Sequence, residues 1–265
     1  DELIDYHVDT IVIDTSKNDD EARDILIKSV EEALSQQGRK TEYNTVANIL
    51  TTIAQSQFTL FSGRPGTGKT SLAKMLGTSL GLDKRLLNIP VARGWTSSRD
   101  ILGFYNALSC SFSSSATGLY ELLKHLDLEQ KKGVTSAPAL CLLDEFNLSQ
   151  PEHYFSPFLE MADPESKRVI ATGILSNPYL TVPNYLRFLG TVNNDESVQS
   201  LTPRMLDRSA IINFDDFEPV YDLAINPENQ SDLLDIIPIS GDRFIDLFTA
   251  RSMELPQDID RTLKL

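Results

Sequence analysis

The chain has 265 residues, of which 41% are hydrophobic, so it is long enough to bury a substantial core in one large or two smaller domains. It has no apolar run close to the ~20 residues of a membrane span and no signal peptide, which predicts a soluble, cytoplasmic protein without membrane contact. The net charge of −14 disfavours nucleic-acid contact except through a local basic patch or another part of a complex, because an acidic surface repels phosphates.

Acidic residues are concentrated at the two ends of the chain. Residues 1–56 carry 12 acidic and 5 basic side chains, residues 215–265 carry 12 and 4, and residues 57–214 carry 14 and 15. We therefore expect an acidic N-terminal helical extension (1–56), a central domain (57–214) and an acidic C-terminal segment (215–265). Because the chain begins with Asp1 rather than methionine, we expect a fragment or processed form of a longer protein.

Helices and strands alternate along the chain. NDDEARDILIKSVEEALSQQ (18–37) and EYNTVANILTTIAQS (42–56) predict two helices that pack beside the core. Five apolar runs then predict buried strands, because their apolarity is continuous rather than alternating. These runs are FTLF (58–61), LLNIPVA (86–92), ALCLL (139–143), RFLGTV (187–192) and AIINF (210–214). With helix-like segments after the first run and at 118–133, the pattern predicts a doubly wound α/β domain.

The segments between these elements give weaker signals. The serine-rich stretch 108–118 predicts a loop, residues 163–184 predict a hairpin around Asn177-Pro178, and DRFIDLFTARS (242–252) predicts a helix. Trp95 and its aromatic neighbours are typical of a core or an interface. Cys110 and Cys141 have no ligand-like spacing and are expected to be free thiols.

A glycine-rich turn follows the first strand. The stretch FSGRPGTGKTSLAKML (61–76) satisfies G-x-x-x-x-G-K-[ST], directly after a strand and directly before a helix. Backbone N–H groups of such a turn, together with the helix N-terminus, surround phosphate oxygens. The expected nucleotide-binding residues are Gly63, Arg64, Pro65, Gly66, Thr67, Gly68, Lys69, Thr70 and Ser71. Lys69 is expected to reach the β and γ phosphates, and the Thr70 hydroxyl to bind Mg²⁺.

Two acidic residues end the third apolar run. In ALCLLDEFN, a buried strand delivers Asp144 and Glu145 to its carboxyl end. Asp144 is expected to bind Mg²⁺ through water and Glu145 to orient and polarise an attacking water. Acid pairs after apolar runs also occur by chance, but the turn earlier in the chain favours a functional pair.

Polar residues flank the last two strands. Asn193 comes first after RFLGTV, where its amide could hold the lytic water or the γ-phosphate; the alternative is a simple turn-forming asparagine. Arg204 and Arg208 lie in SLTPRMLDRS, before the last strand. Either could stabilise transition-state charge at a neighbouring subunit's γ-phosphate, with Arg208 favoured, or be an ordinary surface residue. The histidines show no zinc-like spacing.

Five segments, in chain order, resemble the AAA+ superfamily of P-loop NTPases and, within it, the McrB-like branch, the motors of modification-dependent restriction systems. They are GRPGTGKT, WTSSRDILGFYN, LLDEFNLSQPEHYFSPFLE, VPNYLRFLGTVNNDES and LTPRMLDRS, which span about residues 57–214. The resemblance implies an AAA+ core with a five-stranded parallel sheet flanked by helices, followed by a small C-terminal helical lid. It also implies a homo-oligomeric, hexameric ring, ATP or GTP with Mg²⁺ bound between subunits, and an effector such as a nuclease subunit.

The same resemblance assigns roles to several positions. It makes Asn193 the sensor 1 residue, Arg208 the arginine finger, and Trp95–Asn106 a segment facing the central pore or a neighbouring subunit. McrB itself has an MNTADRS-type sequence after sensor 1, associated with GTP, whereas this chain has VNNDESVQS without the arginine, so ATP and GTP both stay open. Arg243 and Arg251 are the candidates for the lid's sensor 2 arginine.

Three functions are consistent with the sequence. The leading hypothesis is an NTP-hydrolysing ring motor that drives a nuclease or other effector in a prokaryotic restriction or defence system. The second is a MoxR- or midasin-like ATPase that remodels protein complexes. The third is a nucleotide-gated scaffold that oligomerises with little hydrolysis.

Overall fold

A five-stranded parallel sheet forms the centre of the structure, a computed structural model that describes residues 5–10, 19–163, 165–193, 199–214, 220–221 and 238–249. Its strands are β2 (Phe58–Gly63), β3 (Leu86–Pro90), β6 (Ala139–Asp144), β9 (Leu186–Asn193) and β10 (Ala210–Asn213). Their order across the sheet is β10-β2-β9-β6-β3, and every neighbouring pair is parallel. Each predicted apolar run forms one of these strands, so the predicted α/β fold is confirmed.

Helices cover this sheet. The longer ones are α1 (Asp19–Gln36), α2 (Tyr43–Gln55), α3 (Lys69–Ser79), α5 (Leu119–Lys132) and α9 (Gly241–Phe248). Both α2 and α3 pack against strands β2 and β9. Because the sheet is covered, Leu140, Cys141 and Leu142 of β6 are completely buried. Among the described helices, none is long and apolar enough to cross a lipid bilayer.

Shorter elements complete the description. The four-residue helices are α4 (Ser98–Ile101), α6 (Pro151–Tyr154), α7 (Ser156–Leu159) and α8 (Pro203–Leu206). Single 3-10 turns span Asp83–Arg85, Phe146–Leu148 and Glu160–Ala162. A short antiparallel pair joins β1 (Arg39–Lys40) to β11 (Val220–Tyr221).

Two antiparallel hairpins project from the core elements. The predicted hairpin around Asn177-Pro178 is confirmed as β7 (Val169–Ala171) and β8 (Tyr179–Thr181). The prediction of a loop over 108–118 is wrong in part, because β5 (Ser111–Ser114) pairs with β4 (Gly103–Asn106). The reason is a close approach that only glycine permits: a Cβ on Gly103, whose φ is +106°, would lie 2.1 Å from the Ser113 carbonyl oxygen.

The N-terminal helices are hydrogen-bonded to the core and to α9. The buried guanidinium of Arg187, on β9, donates to the Ala54 carbonyl at 2.6 Å and to Gln57 Oε1 at 3.0 Å. Burial lowers the pKa of Arg187 to about 10. Gln55, the last residue of α2, donates from Nε2 to the Phe248 carbonyl of α9 at 2.8 Å. Helix α2 therefore packs on the sheet and on α9, and α1 packs against α2, α3 and α9.

Of the two candidates for a sensor 2 arginine, Arg243 lies on α9. Arg243 forms an ion pair with Asp19 at 2.8 Å, so its side chain faces the start of α1. Arg251 lies outside the described residues, as does most of the segment 215–265 in which a lid was expected. The described part of the predicted helix over 242–252 forms α9.

Candidate functional site

The glycine-rich turn connects β2 to α3, as its sequence predicts. Gly66 and Gly68 have φ values of +83° and +79°, in the left-handed region that favours glycine. A Cβ added at Gly66 would meet no atom within 4 Å, so the space beside this part of the turn is open. Arg64 and Pro65 are exposed, whereas Thr67, whose hydroxyl donates to the Arg64 carbonyl at 2.9 Å, is half-buried. The turn is closed by its own hydrogen bonds and is open toward solvent at Gly66.

Lys69 occupies the interior of this turn. Its side chain is buried, with 5% of the residue exposed. Nζ donates to the Gly63 carbonyl at 2.8 Å and to the Arg64 carbonyl at 2.7 Å. Lys69 is also the first residue of α3, so its charge acts beside a helix N-terminus that adds partial positive charge. The arrangement suits a polyphosphate anion.

Thr70 and Asp144 form a direct contact between the turn and β6. The Thr70 hydroxyl donates to Asp144 Oδ1 at 2.6 Å. A hydroxyl and a carboxylate are hard oxygen ligands of the kind that Mg²⁺ uses together with phosphate oxygens and water. In the described residues no cluster of three or more histidine, cysteine or carboxylate side chains could hold a metal by itself. The donor set fits a magnesium ion bound jointly with a nucleotide. Ser71, next on α3, donates to Met75 Sδ at 3.8 Å instead.

Glu145 follows Asp144 in a strained backbone conformation. Its φ and ψ are 56° and 48°, the left-handed region that side-chain-bearing residues rarely adopt. The backbone N–H of Glu145 donates to Thr191 Oγ1 at 2.9 Å, and the residue itself is exposed. Strand β6 ends here, and the change in chain direction places two consecutive acidic residues in different environments.

Asn193 lies beside the glycine-rich turn. In the parallel register of β9 and β2 it is the partner of Gly63. The residue is half-buried, and its carbonyl oxygen accepts a hydrogen bond from Asn147 Nδ2 at 3.1 Å. The structure thus brings Asn193 to the same edge of the sheet as Lys69 and Asp144. Residues 194–198, which follow it, lie outside the described residues.

Asn147 is a site residue that sequence analysis did not single out. It is 3% exposed, and Nδ2 donates both to the Asn193 carbonyl and to the Gln199 carbonyl, the latter at 3.0 Å. Its Oδ1 is buried without a hydrogen-bond partner among the described residues. The available signal was its position two residues after Glu145, in LLDEFN.

Arg39 is a second residue that was missed. It is 4% exposed, and Nη1 donates to the Gly68 carbonyl at 2.9 Å. A positive charge therefore lies against the N-cap of α3, contributed from the segment between α1 and α2. No local pattern in the sequence identifies it, because the contact is with a residue 29 positions away.

Arg204 and Arg208 lie at the opposite edge of the sheet. Both belong to the segment around α8, which precedes β10; Arg204 is exposed and Arg208 is half-buried. Arg208 lines a cleft of about 740 Å³ at the amino ends of β2 and β10, together with Gln57, Asp163 and Asp207. The structure therefore does not bring either arginine to the glycine-rich turn of its own chain.

The aromatic segment after β3 is divided between core and surface. The Trp95 ring packs edge-on against Tyr154 at 5.1 Å, and the Tyr154 hydroxyl donates to the Phe146 carbonyl at 2.7 Å. Phe104 and Tyr105, on β4, are 45% and 37% exposed. Trp95 thus packs behind the turn that follows Glu145, whereas the aromatic rings of the β4–β5 hairpin are exposed.

Residues 59–215 match a protein family described as "ATPase family associated with various cellular activities (AAA)". A solved structure of the S. cerevisiae Hsp104–ADP complex is similar at 18% sequence identity and a TM-score of 0.45, over 75% of this chain and 37% of that chain. This chain therefore spans just over a third of the length of that structure. None of the curated proteins matches the chain.

Proposed function

Because the chain belongs to the AAA family of ATPases, we propose that its glycine-rich turn binds ATP or GTP with Mg²⁺ and that the site hydrolyses the anhydride bond between the β and γ phosphates, which gives the nucleoside diphosphate and phosphate. The observation that carries the proposal is the hydrogen-bonded path from Thr70 to Asp144 and through Thr191 to Glu145. It joins a phosphate-binding turn to two acids, which hydrolysis requires and binding alone does not.

The residues divide the chemistry among them. Lys69 and the turn's N–H groups neutralise the phosphate oxygens, and Thr70 and Asp144 hold Mg²⁺. The metal ion, when bound, offsets charge that develops on the leaving oxygens. Glu145 orients a water molecule and accepts its proton, while the Asn193 amide holds that water or the γ-phosphate.

Replacing Glu145 by glutamine tests this assignment. The amide keeps the size of the side chain but accepts a proton poorly, so kcat should fall by about 100-fold or more while nucleotide affinity is retained. Glu160→Gln is the matched control, because Glu160 is an exposed glutamate in the helical stretch that follows. Phosphate release by Glu145→Gln at the wild-type rate would contradict the mechanism.

We also propose that Arg208 acts on the nucleotide of a neighbouring subunit in a ring, for which a hexamer is the expected number. Ala210 is in register with Thr59, which is four residues before Gly63, and Arg208 precedes Ala210 by two residues. Arg208 is therefore about six residues from the turn along the strand direction, or about 20 Å at about 3.3 Å per strand residue. That distance is too large for action on its own nucleotide. A ring of identical subunits gives each site an arginine from the next one.

Mixing two inactive variants tests this geometry. Glu145→Gln subunits retain Arg208, and Arg208→Ala subunits retain Glu145. If the arginine acts across the interface, a mixture contains sites with both groups and should recover hydrolysis that neither variant shows alone. Lack of recovery in mixed rings would contradict the proposal. Arg204→Ala is the control and should keep near-wild-type activity.

For the biological role, we propose a McrB-like motor that drives a nuclease or other effector in a prokaryotic restriction or defence system. The support is the likeness of LLDEFNLSQPEHYFSPFLE and LTPRMLDRS to that branch. Copurification of a nuclease subunit would support the role, and recovery of a protein-assembly client would favour a MoxR- or midasin-like ATPase. Nucleotide-dependent rings without phosphate release would favour a scaffold.

Thermal shifts with ATP and with GTP would identify the preferred base, since a ligand that binds the native state raises the melting temperature of the protein.

A further inference from the structure

The hydroxyl group of Thr191 makes hydrogen bonds to both acidic residues of the site. Thr191 lies on β9, two residues before Asn193, and is 3% exposed. Its Oγ1 donates to Asp144 Oδ1 at 2.7 Å and accepts from the Glu145 backbone N–H at 2.9 Å. A hydroxyl has one hydrogen to donate, and here it is directed to the carboxylate while the oxygen accepts the amide.

The first bond fixes the carboxylate of Asp144. Thr70 and Thr191 both donate to Oδ1, from α3 on one side and from β9 on the other. Neither hydroxyl uses Oδ2. Two donors on one oxygen define the rotation of the carboxylate, because each approaches from a different element. Loss of the Thr191 donor would leave that rotation to Thr70 alone.

The second bond fixes the backbone of Glu145. Among the described residues other than glycine, only Glu145 and Cys110 have a positive φ. This conformation is disfavoured for any residue with a Cβ, so surrounding contacts must hold it. The hydrogen bond from the Glu145 N–H to Thr191 is such a contact. It sets the direction in which the chain, and with it the Glu145 side chain, leaves β6.

We infer that Thr191 is a positioning residue for hydrolysis, which holds the metal-binding acid and the water-activating acid in one fixed relation. This inference rests on the proposed function for its catalytic consequence. Thr191 itself touches no reacting atom in this assignment. Removing its hydroxyl should therefore lower the rate of the chemical step and leave the phosphate-binding turn intact.

Thr191→Val removes the hydroxyl and keeps the shape of the side chain, and Thr191→Ser restores a hydroxyl. For the valine variant we expect kcat to fall about 10–100-fold, as for other residues that orient ligands indirectly. The KM for nucleotide should change less than about threefold, because ground-state binding by Lys69 is untouched. The serine variant should recover most of the lost rate.

Thr172→Val is a matched control from the same fold. Thr172 is 2% exposed, and its hydroxyl likewise donates one hydrogen bond and accepts one: it donates to the Asn177 carbonyl at 2.5 Å and accepts from the Ile174 N–H at 3.0 Å. It lies in the β7–β8 hairpin rather than between the acids. The control should lose stability comparably but keep kcat.

A second measurement needs neither nucleotide nor activity. Hydrogen exchange of the Glu145 amide in the nucleotide-free protein should be at least about tenfold faster in Thr191→Val than in wild type, and slow again in Thr191→Ser. If valine prevents folding, Thr191→Cys, with a weak S–H donor, should give an intermediate rate of hydrolysis and of exchange. Unchanged exchange, or kcat within about threefold of wild type in Thr191→Val, would overturn the inference.

The two proposals fail in different ways. If wild type releases no phosphate while the Glu145 amide responds to Thr191→Val as expected, hydrolysis is refuted and the positioning geometry stands. If Glu145→Gln abolishes hydrolysis but Thr191→Val does not impair it, the function stands and the role of Thr191 is refuted.

Discussion

Replacing Glu129 by glutamine removes one charge from a buried ion pair. Glu129, near the end of α5, has 8% of its side chain exposed, and the side chain of Arg85 has none. Arg85 Nη1 and Nη2 donate to Oε1 and Oε2 at 3.0 and 2.8 Å, and the Ser136 hydroxyl also donates to the carboxylate. Glutamine has the same shape, but its NH₂ group would face an N–H of Arg85 and the guanidinium would lose its counter-charge.

The expected loss of stability at neutral pH is about 3–5 kcal/mol, because removing one partner leaves a charge buried without compensation. This is a large part of the ~5–15 kcal/mol that stabilises a typical domain. The control is Glu32→Gln, the same substitution at an exposed position of α1, which should change stability by less than about 0.5 kcal/mol.

The pH dependence gives the same test a second readout. Burial alone would raise the pKa of Glu129, but hydrogen bonds from Arg85 and Ser136 outweigh it and hold that pKa below its ordinary value. A carboxyl group with a depressed folded-state pKa adds stability above its unfolded pKa of about 4.3, and this is lost as pH falls through the folded value. Wild type should therefore lose stability more steeply than the variant below about pH 5.

Urea denaturation followed by the fluorescence of Trp95, the single tryptophan, measures both quantities. The reasoning is refuted if Glu129→Gln costs less than about 1 kcal/mol, the value of an exposed pair. Parallel pH profiles of the two proteins below about pH 5 would equally refute it.

Three further substitutions have defined outcomes. Thr59→Val should leave the free energy of unfolding in urea unchanged or raise it by about 1 kcal/mol, because the Thr59 hydroxyl is buried with no hydrogen-bond partner in the described structure. A fall of about 1 kcal/mol in that free energy would contradict this prediction. Arg39→Ala should raise the Kd of a fluorescent nucleotide about tenfold, since the guanidinium fixes the carbonyl at the start of α3; an unchanged Kd would remove Arg39 from the site. Gly190→Ala should cost about 1–3 kcal/mol on denaturation, because the new Cβ would lie 2.7 Å from Leu60 Cδ2 and 3.2 Å from Phe146 Cγ, and an unchanged midpoint would show that these side chains yield freely.

The sequence predicted the parts of the site that depend on local pattern. Gly66, Gly68 and Lys69 occur in a fixed spacing between an apolar run and a helix, and each requirement is satisfied within a few residues. Asp144 was predicted because it ends a run that is buried throughout. These inferences need only the rule that parallel strands present their carboxyl ends at one edge.

Residues that act through tertiary contacts could not be predicted in this way. Arg39 reaches the turn only because α1 and α2 return the chain to the start of α3. Asn147 is identified by its two carbonyl partners, which belong to β9 and to the segment after it. Thr191 had a partial signal, since side chains alternate along a strand and it shares a face with Asn193. The alternation alone does not show which strands are the neighbours of β9 in the sheet.

The order of strands supplies the missing information. Strand β9 is fourth of the five along the chain, yet it lies between β2 and β6, the strands that carry the glycine-rich turn and the two acids. A side chain near the carboxyl end of β9 can therefore contact both neighbours, and Thr191 does so at Asp144 and Glu145. Because β9 separates the strand that carries the turn from the strand that carries the acids, Thr191 can fix the position of both acids without touching a reacting atom itself. A change at Thr191 should consequently alter rate before affinity.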